Sequence, residues 1–244
     1  MIKGVLFDKD GTLIELNNLW AESTLVLVDS LVENYLPNKI NSNIIKQNIL
    51  FQLGYIEGNI RPDSILASET NNEIADIVSD SLNLDKKHIM TFIDNFYFQF
   101  LKSNLNVISP IFDIKSLFDC LHDQGIKVGI ATSDNYLNTG LILNYLEIEN
   151  KIDFLATGDR YDKKPNKQAI AEFSRMFNLN LLEIVHVGDS VVDIQFGNHG
   201  LGGIGVLSGS SSQAVLEKHT QVVLQNASHM TNLDTIEQML LEKK

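Results

Sequence analysis

Two aspartates near the N-terminus, Asp8 and Asp10, are the first residues whose type and spacing could do chemistry. They follow the apolar run Lys3–Phe7 and precede Gly11, so a buried strand is predicted to end at this pair. One carboxylate can attack phosphorus as a nucleophile, while the other protonates the leaving oxygen and later takes a proton from water. Gly11 permits a sharp turn. Calcium loops and ordinary turns use the same residue types, so this segment alone leaves both interpretations open.

A second acidic segment, Gly188–Asp193, also follows an apolar run. Asp189 stands at the predicted strand end, and Asp193 lies four residues further on, within one helical turn. Together with Asp8, these carboxylates offer the hard oxygen ligands that suit Mg²⁺. A helix N-terminus capped by aspartate is the alternative interpretation.

Two further residues occupy comparable positions. Thr132 follows the run Lys127–Ala131 at the start of a predicted helix, where its hydroxyl and the neighbouring backbone N–H groups could hold phosphate oxygens. Lys164 precedes Pro165 in a loop before the next helix, and a lysine there could neutralise phosphoryl oxygens and the attacking carboxylate. Plain helix capping and a solvated surface lysine are the respective alternatives.

Five short apolar runs must position these residues, and helical patterns separate the runs. The runs are Lys3–Phe7, Lys127–Ala131, Ile152–Ala156, Glu183–Val187 and Gly203–Leu207. Strands that alternate with helices predict an α/β fold, in which a parallel sheet carries helices on both faces. Ligands of such sheets bind beyond the carboxyl ends of the strands. The candidate residues that fall at those ends are Asp8, Asp10, Thr132, Asp189 and Asp193.

The stretch from about Ile14 to Val107 breaks this alternation. Apolar residues recur there at helical spacing, and Thr70–Glu73 has the spacing of a capping box. We predict an all-helical insertion after the first strand, with loops at Asn41–Asn48 and Gly54–Ser64.

Composition limits the classes of function. The chain has 244 residues and a formal net charge of −12, which argues against a nucleic acid as a standing partner. No apolar run approaches the roughly 18 residues that span a bilayer, and the N-terminus has no secretory pattern. We therefore expect a cytoplasmic protein that does not bind a membrane.

Taken together, the motifs resemble those of the haloacid dehalogenase superfamily. They are Asp8–Leu13, Thr132 after Val128–Ala131, Lys164–Pro165 and Gly188–Asp193, in the family's order and with ordinary spacing. The resemblance covers the whole chain. It implies a doubly wound Rossmann-like core of residues 1–14 and 107–244. Residues 15–106 would form a helical cap, as in phosphoglycolate phosphatases and β-phosphoglucomutases.

The resemblance also implies a role for each candidate residue. Asp8 would be the nucleophile and a Mg²⁺ ligand, and Asp10 the acid/base and a ligand through its backbone carbonyl. Asp189 would bind the ion directly. Asp193 would either bind the ion directly or hydrogen-bond to a group that does. The residues implied in phosphate binding are Thr132, Ser133, Lys164 and Gly11. Lys9, between the two aspartates, receives no catalytic role.

The second aspartate of the first motif separates members of the family. Dehalogenases and phosphonatases lack it, so the presence of Asp10 disfavours both. The prediction is a magnesium-dependent phosphatase acting on small phosphate monoesters, such as phosphoglycolate or a sugar phosphate, as a monomer or homodimer. A phosphomutase and a non-catalytic binding protein are the alternatives. A mutase would need insertion residues that grip a second phosphate, but a surface role is expected for Arg61, Lys86 and Lys87.

Overall fold

The computed structural model describes residues 1–36, 41–62 and 64–242, and the chain divides into two compact units. The core unit comprises Met1–Glu15 and Ser109–Lys244, and the insertion unit comprises Leu16–Ile108. The chain therefore completes the first strand, β1 (Gly4–Phe7), before it enters the insertion. Across the described ranges, no helix has the length and apolar character needed to span a membrane.

The insertion unit is built mainly from helices. They are α1 (Leu16–Tyr35), α2 (Ser42–Leu53), α3 (Ile65–Ser68), α4 (Asn71–Leu82) and α5 (Lys86–Ser103). The loop predicted at Asn41–Asn48 is wrong, because α2 begins at Ser42 and buries Ile49, Leu50 and Leu53.

A small hairpin accompanies these helices within the segment predicted as the loop Gly54–Ser64. Its antiparallel strands are β2 (Tyr55–Ile56) and β3 (Asn59–Ile60). The connecting residues Glu57 and Gly58 both have positive φ, at 47° and 86°. Two positive φ values in a two-residue loop are what a type I′ turn requires, and its twist matches that of paired strands.

The capping box predicted at Thr70–Glu73 is confirmed. The Thr70 side chain accepts a hydrogen bond from a backbone N–H of the first turn of α4, and the Glu73 carboxylate accepts from the Thr70 N–H at 3.0 Å. Helix α4 then buries Ile74 and Val78 in the core of the insertion unit, which also takes residues from α1, α2 and α5.

The core unit confirms the predicted α/β architecture. Its further strands are β4 (Lys127–Ala131), β5 (Phe154–Ala156), β6 (Ile184–Gly188), β7 (Gly202–Val206) and β8 (Val223–Leu224). Its helices are α6 (Ile114–Asp123), α7 (Tyr136–Tyr145), α8 (Gln168–Phe177), α9 (Val191–Gly197), α10 (Gln213–Leu216) and α11 (Leu233–Leu241). The strands form one parallel sheet in the order β5-β4-β1-β6-β7-β8.

Burial explains why these runs form strands. All four residues of β1 are buried, as are all five of β6 and of β7, which is typical of a parallel sheet covered by helices on both faces. Helix α8 covers the sheet with a stripe that includes Ile170 and Phe173, and both side chains are fully buried. The helical spacing in the sequence thus corresponds to a real core face.

Candidate active site

Neighbouring strands end together at one edge of the core sheet. Phe7, the last residue of β1, pairs with Ile130 of β4 on one side and with Val187 of β6 on the other, and Val187 pairs in turn with Ile204 of β7. The polar residues that follow these strands are Asp8, Thr132, Asp189 and Ser208. The parallel register therefore brings four separate loops to the same place.

Three carboxylates meet at this edge. Asp8, Asp189 and Asp193 are all buried, and each offers an oxygen within 4.8 Å of the oxygens of the other two. Three hard oxygen donors at this separation fit a divalent cation such as Mg²⁺. The carboxylate of Asp10 points to a different partner, the ammonium group of Lys9.

The electrostatics of the group reflect its crowding. Burial raises the pKa of Asp8 well above its ordinary value. Lys164 opposes that shift, and the nearby carboxylates reinforce it. Burial, followed by the charge of Asp193, raises the pKa of Asp189 to about 6. Burial alone would also raise the pKa of Asp193, but Lys164 and His186 outweigh it and hold that pKa far below the usual range. Like charges so close together favour a bound cation.

Lys164 neutralises part of this charge. Its Nζ lies 2.7 Å from Asp8 Oδ1 and 2.6 Å from Asp193 Oδ1, and its side chain is only 10% exposed. Burial lowers the pKa of Lys164, but the two carboxylates more than compensate, so the group remains an ammonium. The predicted alternative of a solvated surface lysine does not describe this side chain.

The start of α9 fixes Asp193. The Asp193 Oδ2 accepts from the Ser190 N–H at 3.1 Å and from the Ser190 hydroxyl at 2.6 Å, while Ser190 Oγ accepts from the Asp193 N–H. Asp193 thus takes part in a capping box and also presents Oδ1 to Lys164 and, at 3.0 Å, to His186 Nε2. Gly188 is required here, because a Cβ on it would lie 2.2 Å from Asp193 Cγ.

The loop after β7 fixes Asp189. Ser210 donates to Asp189 Oδ2 from its backbone N–H at 2.5 Å and from its hydroxyl at 2.8 Å. A Cβ on Gly209 would approach that oxygen to 2.2 Å. Gly11 has a φ of 77°, and a Cβ on it would lie 2.8 Å from Asp189 Oδ2. The Gly11 N–H donates to the Ile14 carbonyl at 2.7 Å. The structure therefore gives Gly11 a steric role, since its backbone donor is engaged.

Thr132 and Ser133 lie in the loop after β4. Thr132 does not cap α7, because Asn135 provides that cap. Thr132 is buried, its N–H donates to the Ala156 carbonyl at 3.0 Å, and its Oγ1 accepts from the Asp134 N–H at 3.2 Å. This turn places Thr132 and Ser133 at the strand edge, beside the loop that carries Asp8.

Lys9 is the main difference from the sequence analysis. Its side chain is 1% exposed, and its Nζ lies 2.7 Å from Asp10 Oδ2 and 3.1 Å from Asp134 Oδ2. Asp134 in turn accepts from the Asn135 N–H at 2.8 Å and from the Asn138 amide at 3.2 Å. Lys9 therefore joins the loop after β1 to the loop after β4 through two ion pairs, of which the one with Asp134 is almost fully buried.

Sequence reasoning also missed three residues that shape this site. Asp134 and Ser210 each stand just after a predicted strand, and that position was the available signal for them. His186 carries no such signal, because it lies inside β6 and its role depends on the turn that brings Asp193 back to it.

The comparisons with known proteins give a family and a fold. The model of the haloacid dehalogenase-like hydrolase family matches residues 2–200. No protein of curated function matches the chain in sequence at a significant level.

Among solved structures, the chain is similar to a β-phosphoglucomutase from Clostridium difficile, with a TM-score of 0.68 and 17% identity over 99% of this chain and 98% of that one. It is similar to a predicted phosphoglycolate phosphatase from Haemophilus somnus, with a TM-score of 0.67 and 15% identity over 96% and 98%. An HAD phosphatase from Thermococcus onnurineus gives a TM-score of 0.67 and 19% identity over 96% and 97%. At these identities the likeness establishes a shared fold.

Proposed function

The chain belongs to the haloacid dehalogenase-like hydrolase family, and we propose that it is a magnesium-dependent phosphatase that hydrolyses small phosphate monoesters through an aspartyl-phosphate. The observation that carries the proposal is the ion pair between Asp8 and Lys164 inside a buried three-carboxylate group at the carboxyl edge of the sheet. A second carboxylate, Asp10, stands two residues from the nucleophile.

The first half-reaction transfers the phosphoryl group to the enzyme. A carboxylate oxygen of Asp8 attacks phosphorus, the P–O ester bond breaks, and the electron pair of that bond leaves with the alcohol oxygen. Asp10 donates a proton to this oxygen and becomes a carboxylate. Lys164 neutralises charge on the phosphoryl oxygens, and Thr132 and Ser133 hold them.

The second half-reaction releases phosphate. Asp10 takes a proton from a water molecule, whose oxygen attacks phosphorus. The bond between phosphorus and the Asp8 oxygen then breaks, which returns Asp8 as a carboxylate and Asp10 as an acid. One proton is given in the first half-reaction and one is taken in the second, so Asp10 ends as it began.

Asp8, Asp189 and Asp193 would hold the Mg²⁺, with the backbone carbonyl of Asp10 as a further ligand. A divalent cation bound there supplies positive charge against the carboxylates and the phosphoryl oxygens. The hydrogen bonds from Ser190 to Asp193 and from Ser210 to Asp189 orient these two carboxylates before any substrate binds.

Two cations of the insertion unit, Arg61 and Lys86, have partners within that unit, which supports hydrolysis over phosphomutation. A mutase needs cations that grip a second phosphate group. Arg61 is exposed and lies over the Phe51 ring at 5.9 Å, and Lys86 pairs with Asp76 at 2.6 Å. These contacts fit the surface role predicted from the sequence.

The test is phosphate release from a panel of phosphorylated metabolites, with Mg²⁺ and with EDTA. Asp8→Asn should lose turnover almost completely while its thermal unfolding stays cooperative. Asp119→Asn is the matched control, because Asp119 is an exposed carboxylate of the core unit that pairs with Lys151. Full activity in Asp8→Asn would refute the mechanism. An isomeric phosphate as product, with little inorganic phosphate, would indicate a mutase.

A further inference from the structure

Lys9 is a buried lysine for which the proposed mechanism has no use. Its side chain is 1% exposed, and it reaches two carboxylates that come from different loops. Burial by itself lowers the pKa of Lys9, but Asp10 and Asp134 raise it above the ordinary value, so Lys9 stays an ammonium. Charged residues are rarely buried, and those that are buried are usually paired.

The two carboxylates around Lys9 are not equivalent. Asp134 is almost fully buried and is held by the Asn135 N–H and the Asn138 side chain at the start of α7. Asp10 is more exposed, with 16% of its side chain accessible, and lies two residues after the proposed nucleophile Asp8. Lys9 thus has a rigidly held partner on one side and the proposed acid/base on the other.

We propose that Lys9 is a positioning residue for the reaction. Lys9 holds the Asp10 side chain in the orientation needed for proton transfer, and Asp134 holds the Lys9 ammonium in place. The inference rests on the proposed function, because it requires Asp10 to be the acid/base.

The physical reason is conformational. An aspartate at a strand end has several side-chain rotamers, and only some of them aim an oxygen at the reacting group. An ammonium 2.7 Å from Oδ2 favours one of them, and the anchor at Asp134 keeps that ammonium in place. Misplacing a catalytic group by about 1 Å is enough to slow a reaction on the order of a hundredfold.

Removal of the ammonium tests the inference. Lys9→Met should lower kcat on the order of a hundredfold. The KM should change by less than about twofold, because Lys9 is buried and the proposed mechanism gives it no contact with the substrate. Lys127→Met is the matched control, since Lys127 also pairs with a carboxylate of the core unit, Asp153 at 2.8 Å, but lies at the opposite end of β4. That variant should keep the wild-type kcat.

A double-mutant cycle separates positioning from loosening of the fold. The assay follows nitrophenol release from p-nitrophenyl phosphate, whose leaving group needs little protonation, so that residual activity is measurable in Asp10→Asn. If Lys9 acts through Asp10, then adding Lys9→Met to Asp10→Asn should change the rate by less than about twofold. A loss as large as that in the wild-type background would overturn the inference, because Lys9 would then act on some other group.

Three further outcomes are distinguishable. If Lys9→Met does not fold, the double variant Lys9→Met/Asp134→Asn replaces it, because that variant leaves no unpaired buried charge at position 134. It should show the same loss of kcat. A wild-type kcat in the double variant would reject the inference. A wild-type protein that releases no phosphate refutes the proposed function itself. An active wild type with an equally active Lys9→Met refutes only the role of Lys9.

Discussion

Replacing Asp189 by asparagine should change how stability depends on pH when no metal is bound. The pKa of Asp189 is about 6 in the folded protein, whereas an aspartate in an unfolded chain has a pKa of about 3.9. Between these values the folded chain binds more protons than the unfolded chain, so the free energy of unfolding falls as pH rises. About two pH units at about 1.4 kcal/mol each give a loss of about 3 kcal/mol.

Other carboxylates of the group do not obscure this change. The raised pKa of Asp8 acts in the same direction, and the Asp189 charge contributes to it, so Asp189→Asn also weakens that effect. The lowered pKa of Asp193 acts in the opposite direction, but its contribution is lost only as pH falls below about 4.

Urea unfolding in EDTA measures the effect. From about pH 4 to pH 7, the metal-free wild type should lose about 3 kcal/mol more stability than Asp189→Asn. Mg²⁺ at a hundred times its dissociation constant should then restore about 2.7 kcal/mol to the wild type near pH 7. It should restore much less at pH 4, because metal ligands must be deprotonated.

The control is Asp119→Asn, which removes an exposed carboxylate that pairs with Lys151. Its stability should follow the wild-type pH dependence closely. Parallel pH profiles for wild type and Asp189→Asn would show that Asp189 titrates normally, and the electrostatic account of the site would have to be abandoned.

Two other substitutions address the metal site and the insertion unit. Gly209→Ala would place a Cβ 2.2 Å from Asp189 Oδ2 and so displace a proposed metal ligand. The Mg²⁺ concentration for half-maximal phosphate release should therefore rise about 10- to 100-fold. Gly140→Ala is the control and should leave that concentration unchanged, because its Cβ meets open space. Equal Mg²⁺ requirements in both would contradict the steric argument. Thr70→Ala removes the capping box of α4 and should destabilise the insertion unit by about 1 kcal/mol, measured as faster amide hydrogen exchange in α4. Unchanged exchange would mean that the cap contributes little.

The parallel sheet was predictable because its central strands β1, β6 and β7 are buried along their whole length and are therefore mostly apolar. The hairpin β2–β3 was not predictable in this way, because two-residue strands are too short to show alternation. The segment Asn41–Asn48 was predicted as a loop, and its asparagines do disfavour helix interiors. Packing of Ile49, Leu50 and Leu53 in the insertion core overrides that preference and makes the segment part of α2.

The acidic part of the site was predictable for a related reason. Asp8 and Asp189 stand where apolar runs end, and parallel strands that end together must bring such residues to one edge. The environment of Lys9 could not be read in the same way. The Lys9 ammonium is paired inside the protein with Asp134, which belongs to a distant part of the chain. The residues next to Lys9 in sequence do not distinguish a buried lysine from a solvated one.

The charges at the strand edge explain why an acidic protein is compatible with an anionic substrate. Five carboxylates gather there, from Asp8, Asp10, Asp134, Asp189 and Asp193, against the two ammonium groups of Lys9 and Lys164. When all of them are ionised the net charge is −3, which would repel a phosphate ester. Under the proposed function Asp10 is protonated when the substrate binds, which leaves a net charge of −2, and a bound divalent cation would neutralise that remaining charge. The two lysines cannot do this alone, because each is already shared between two carboxylates. Under the proposed function, the cation would therefore contribute to substrate binding as well as to the chemistry.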